Sequence, residues 1–126
     1  VSSEYNKLAN INPILTKDDV LSLREQAGKV FVDEKLMTYI VDLIAETRTD
    51  AMVYVAASPR ASLSLLNAAK AYALIQGRNY VIPDDVKTLV YPVLCHRISL
   101  TAEAEMNGVA VSKVIAAIID RVQVPK

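Results

Sequence analysis

Cysteine, glycine, histidine and net charge are all scarce in this 126-residue chain, and each scarcity removes a class of function. One cysteine, Cys95, cannot form an internal disulfide, and no signal peptide precedes it, so a reducing cytoplasm is the expected compartment. Three glycines, Gly28, Gly77 and Gly108, are too few and too scattered for a phosphate loop; neither G-x-x-x-x-G-K-[ST] nor G-x-G-x-x-G occurs. The lone His96 has Cys95 beside it but no second group of ligands, which argues against a metal site. Glu103 and Glu105, two residues apart, would face different sides of a helix and make a poor acid/base pair. By itself the chain is not expected to be an enzyme.

Fourteen basic and fourteen acidic side chains cancel. A global field of the kind that draws nucleic acid or an anionic membrane is therefore absent, and any anion site must be local. No apolar run reaches the roughly 18 to 20 residues needed to cross a bilayer. What is present is 52% hydrophobic residues, enough for one core in one domain. The chain does not open with Met, so a piece of a longer protein is an expectation.

Residues 1–14 are polar, with three asparagines and Pro13, and read as a linker or the tail of an upstream domain; 15–126 form the domain proper. Thr16, followed by Asp18 and Asp19, marks a first helix, with Leu15 and Val20 as a staple and Val20, Leu23, Ala27 and Val30 as its buried stripe. Gly28 would stop it. Asp33 caps a second helix whose wide face (Leu36, Ile40, Leu43 and Thr47, broadened by Met37, Val41 and Ile44) predicts a central position. Residues 50–57 are a loop or brief strand. A third helix starts at Ser58 with Pro59 at its first position, buries Leu65, Leu66, Ala69, Tyr72 and Ala73, and stops at Gly77. Pro83, Asp84 and Asp85 open a fourth, which Pro92 should interrupt or kink. Ile98 and Leu100 alternate as a short strand, residues after Thr101 make a helical turn, and a fifth main helix runs from about Ser112 to Val122. The predicted class is all-α: a small bundle of about five helices with a minor strand pair.

Within this pattern one residue breaks a local rule. The helices at Thr16 and Pro83 carry paired aspartates in their first turns, where carboxylates suit the dipole, whereas the helix at Ser58 carries Arg60. A cation there costs on the order of 0.3 to 1 kcal/mol. At about 100° per residue Arg60 points with Ser64 and Asn67, away from the Leu65 stripe. The helix N-terminus and the guanidinium can then converge on one anion such as a phosphate. The plainer alternative is a solvated side chain, or one paired with a nearby carboxylate. Lys70 and Arg78 could join Arg60 in a basic patch, but read more simply as solvated surface cations. His96 is expected to be packed or hydrogen-bonded, although with Arg97 it could reach a neighbouring domain.

Ser58-Pro59-Arg60-Ala61-Ser62 and the following "LLNAAKAYALIQGRNYVIPDDVKTLVYPVLCHRI", preceded by "VFVDEKLMTYIVDLIAETR" and followed by "AEAEMNGVAVSKVIAAIIDRVQVP", closely resemble the C-terminal lid domain of MoxR-type AAA+ ATPases. The likeness runs from about Leu15 to Pro125. It implies a helical AAA+ lid whose Arg60 is the sensor 2 arginine, the residue that would serve both catalysis and cofactor contact by reaching the terminal phosphates of ATP. Ser58 would cap the helix and Pro59 would set its start. It further implies ATP and Mg²⁺ in the full-length protein, an upstream AAA+ core in the same chain, a hexameric ring, chaperone-like remodelling, and von Willebrand factor A-type proteins as partners. Ile82 departs from the pattern, since relatives commonly place a capping Thr there, and Cys95 stands where a long or basic side chain is more usual. Two other readings compete on the residues alone: a free-standing helical protein-interaction module, and a helical DNA-binding domain, against which the zero net charge and lack of a basic recognition helix count.

Overall fold

The computed structural model describes residues 8–126; the first half of the predicted linker lies outside them. After a 3-10 turn at Leu8–Asn10 come α1 (Lys17–Gly28), α2 (Glu34–Thr49), β1 (Val53–Val55), α3 (Pro59–Ile75), α4 (Pro83–Leu94), β2 (Ser99–Leu100), α5 (Ala102–Met106) and α6 (Val111–Arg121). The class is the predicted one, a helical bundle with a two-stranded antiparallel sheet, β1 on β2. α3 packs on α1, α2 and α4, and α6 closes the other side against α2 and α4.

The packing follows from side-chain size. α3 presents Ala61, Leu65, Ala69 and Ala73, all fully buried at four-residue spacing, so that neighbouring backbones can come close to a ridge of mostly methyl groups. α2 contributes Leu36, Tyr39, Ile40, Leu43, Ile44 and Thr47. Its buried face is narrower than the pattern suggests, because Met37 and Val41 are exposed and Tyr39 is in the core. α4 adds Val86, Val90 and Leu94, and α6 adds Val114, Ile115 and Ile118. Pro92 does not interrupt α4, which continues to Leu94 with Cys95 as its C-cap. In the last turn the missing N–H forfeits one bond only.

α1 corrects the sequence reading most clearly. Thr16 caps it as expected, its Oγ1 accepting from the Asp19 N–H at 3.1 Å while Asp19 Oδ2 accepts from the Thr16 N–H at 2.8 Å. Yet α1 has no buried residue. Val20 and Leu23 are each 44% exposed and Leu15 is 52% exposed, so the staple and the N-terminal half of the stripe are not buried, while Ala27 is half-buried and Val30, just past the end of α1, is in the core. Three-four periodicity says that a face is apolar without saying what covers it. α1 lies on α3 through the partly buried Ala27, and the Lys70 ammonium on α3 donates to the Gly28 carbonyl at 3.2 Å, capping the negative end of the helix. Its larger apolar groups stay uncovered among the described residues.

Two turns pin the helices. After α3, Gly77 at φ +78° closes a Schellman motif in which the Arg78 N–H donates to Ala73 O and the Gly77 N–H to Leu74 O, both at 2.9 Å. No atom would touch an added Cβ there, so Gly77→Ala tests the backbone alone. We expect a loss of about 1 kcal/mol, read from urea unfolding, and an unchanged midpoint would show that the left-handed turn carries no strain. The chain then runs beside Phe31, whose N–H donates to Asn79 O at 2.8 Å and whose carbonyl accepts from the Val81 N–H at 2.9 Å.

Candidate functional site

The site begins at the approach to α3. Thr47, buried on α2, donates its hydroxyl to Ile44 O at 2.6 Å and accepts the Ala57 N–H at 3.2 Å. Sequence periodicity placed Thr47 among apolar residues and gave no sign that it would hold the next helix. On the other side, β1 pairs with β2 in the register Val53 with Leu100 and Val55 with Ser99, and the Thr101 N–H donates to Met52 O at 2.8 Å. Ala57 is buried immediately before the cap. The start of α3 is thus held from α2 and from the sheet.

Ser58 occupies the N-cap with extended angles (φ −76°, ψ 163°), and Pro59 sits at N1. Contrary to expectation, the Ser58 hydroxyl makes no capping bond. Its carbonyl instead accepts the Ala61 N–H at 2.9 Å. No acidic residue occupies the first turn. Arg60 follows at N2, exposed, beside a completely buried Ala61, and it has no hydrogen bond or ion pair among the described residues. An unpaired guanidinium with five donors and an N-terminus lacking a side-chain cap therefore share one end of the helix.

The other candidate cations are committed elsewhere. Lys70 caps α1. Arg78 binds Asp85 through two bonds, Nη1 to Oδ2 at 2.7 Å and Nη2 to Oδ1 at 2.5 Å, and also donates to Tyr80 O at 3.0 Å. The reading of Arg78 as a solvated cation is therefore overturned, Lys70 stays a surface cation though tied to Gly28, and neither joins Arg60. Asp85 is only 2% exposed. It also accepts the Ile82 N–H at 2.9 Å, which supplies from N3 the half of a capping box that the Ile82 side chain cannot complete. Burial pushes the Asp85 carboxyl up, but the bonds from Arg78 and Ile82 and the guanidinium charge outweigh it and hold the group below the ordinary carboxylate value.

At the end of α4, His96 is exposed rather than packed, and no hydrogen bond to it forms among the described residues. Arg97 turns inward, donating from Nη2 to Ser64 Oγ on α3 at 3.3 Å. Glu103 and Glu105 both lie exposed on α5.

The family described as the AAA lid domain matches residues 45–121. The uncharacterized protein YeaC of Bacillus subtilis (strain 168) is 36% identical over 125 residues, 99% of this chain and 39% of that one. Chaperone MoxR1 of Mycobacterium tuberculosis is 38% identical over 122 residues, 90% of this chain and 32% of that one. A crystal structure of a proposed ATPase from Cytophaga hutchinsonii superposes with a TM-score of 0.82 at 34% identity, covering 96% of this chain and 41% of the other. The chain spans about two fifths or less of the length of these relatives. With its helical architecture, its small sheet and the family match across most of its length, the chain belongs to the AAA lid domain family and is a lid of the MoxR type.

Proposed function

We propose that this lid supplies Arg60 as the sensor 2 arginine of an ATP site completed by an upstream AAA+ core in the same chain, and that the assembled protein is an ATPase. The observation that carries the proposal is the position of Arg60: exposed at N2 of a helix with no side-chain cap, without a partner among the described residues, while Lys70 and Arg78 on and after the same helix are both engaged. A planar cation at a helix N-terminus suits a polyphosphate oxygen. Bound there, ATP with Mg²⁺ held by the core would supply the phosphoanhydride to be cleaved. Arg60 would bind and orient the terminal phosphate and offset the charge it gains on transfer.

The uncovered apolar side chains of α1, Val20, Leu21 and Leu23, support a core domain seated against the lid, since buried contact would offset their exposure. Because one face of the lid would then follow the core and the other would follow the nucleotide through Arg60, hydrolysis could move the lid as a rigid piece. On this reading the protein works as a ring, a hexamer by family likeness. Like the relative named a chaperone, it would remodel or assemble partner proteins, with von Willebrand factor A-type proteins as the candidate class, in the cytoplasm.

The test is ATP hydrolysis by the full-length polypeptide, with its upstream sequence read for a G-x-x-x-x-G-K-[ST] loop. Hydrolysis that vanishes when the loop lysine is replaced supports the proposal. A natural chain with no such loop and no turnover rejects it.

A further inference from the structure

We propose that Arg97 is the positioning residue for Arg60, held for that task by Ser64; the inference rests on the sensor reading above. Arg97 lies just beyond α4, where its N–H donates to Leu94 O at 2.9 Å, and just before the buried Ile98 and β2. β2 pairs with the strand that leads into α3. The turn carrying Arg97 is therefore anchored to the same structure that sets the start of α3.

From that turn the Arg97 guanidinium donates to Ser64 Oγ. Ser64 is four residues beyond Arg60, one turn along α3 and about 40° round it, so Arg97 is brought to the side of the helix that carries Arg60. Arg97 Nε is buried and has no partner among the described residues, which is an unfavourable arrangement for a donor. Its one bond from the guanidinium to Ser64 is long, unlike the short paired bonds of Arg78 to Asp85. An apolar side chain would fill the same place without stranding a donor, so stability alone does not account for an arginine here.

Charge does account for it. Two guanidiniums on one side of a helix repel. Ser64 tethers Arg97, so Arg60, the exposed and unpartnered member, is the one that yields. It is displaced from Ser64 toward the N-terminal end of α3, where the free N–H groups, themselves unfavourable to a cation, and the guanidinium would converge on a phosphate. Arg97 touches no nucleotide in this scheme; it narrows the directions Arg60 samples before ATP arrives.

The experiment is steady-state ATPase kinetics on the full-length protein with Arg60→Ala, Arg97→Ala, Arg97→Lys, Ser64→Ala and the Arg97→Ala/Ser64→Ala double variant, each with its thermal midpoint. Arg97→Ala and Ser64→Ala should each lower kcat by about 3- to 10-fold with KM for ATP within about twofold and the midpoint little changed. The double variant should fall no further than Arg97→Ala, because the two residues form one device. Arg97→Lys, which keeps charge and donor, should retain at least about half the turnover. Wild-type kcat in either single variant, multiplicative losses in the double, or losses matched by a fallen midpoint would overturn the positioning role. Arg60→Ala separates the two layers. Normal turnover there sinks the sensor reading, whereas a loss there with normal Arg97→Ala sinks the positioning role alone.

Discussion

On the proposed sensor reading, replacing Arg60 with alanine in the full-length protein should lower ATP turnover by on the order of 100-fold and leave the lid folded. The size follows from what one preorganised donor to developing transition-state charge contributes, about 10² to 10³ in kcat where such donors have been removed. The lower end applies because a core phosphate loop and Mg²⁺ would share the charge. The spared fold follows from location. Arg60 is exposed and has no bond to lose among the described residues, while the adjacent Ala61 and the Thr47 to Ala57 bond hold the helix start. Removing a cation from the positive end of a helix dipole even relieves a small unfavourable contact. Hydrolysis rate and circular dichroism, measured together on wild type and variant, check both halves. An unchanged rate would show that the exposed guanidinium serves something other than nucleotide.

The largest stability effect is expected at the other end of α3. Asp85→Ala removes both bonds to Arg78 and the acceptor for the Ile82 N–H. Breaking a buried pair by deleting one partner typically costs 3 to 5 kcal/mol. Water reaches Arg78, whose side chain is 22% exposed, so about 3 kcal/mol is expected here. Asp84→Ala, one residue earlier and exposed, should stay within about 0.5 kcal/mol. Chemical denaturation of the two variants side by side is the measurement, and equal losses would mean that both aspartates act only on the helix dipole.

The same pair sets an acid limit. Asp85 is held below its ordinary value of 3.8 in the folded chain, so the unfolded chain takes up the proton first as pH falls. The stabilisation is full above the unfolded value and fades as pH drops through the folded one. Asp85→Ala should therefore flatten the loss of stability below about pH 4. A limb as steep as wild type would assign the acid sensitivity to other carboxylates, Asp50 beside Arg121 among them.

Element type and position were legible in the sequence because they depend on neighbours along the chain. Asp33 caps α2 with its carboxylate on the Lys35 N–H at 2.8 Å, Pro59 and Pro83 open helices where a missing N–H costs nothing, and Gly77 turns where φ is positive. Alternation at Ile98 and Leu100 marked the region of β2. Arg60 stood out for the same reason, since a misplaced charge is visible against a rule that spans only one helical turn.

Partnership was not legible, because it joins residues far apart in sequence. Val20 and Leu23 in the α1 stripe have the pattern of a buried face and are exposed, since periodicity measures amphipathicity and not cover. Two adjacent aspartates look alike in "IPDD", and only the turn that brings Arg78 back along α4 separates the buried Asp85 from the exposed Asp84. His96 and Arg97 are also neighbours, yet one faces solvent and the other reaches Ser64, 33 residues away. By itself the sequence determined the helices, where most of them start and the odd arginine, all through local sterics and dipoles. Only the tertiary structure decided which charges are neutralised and which, like Arg60, are left without a partner among the described residues, because pairing depends on distances that packing alone sets.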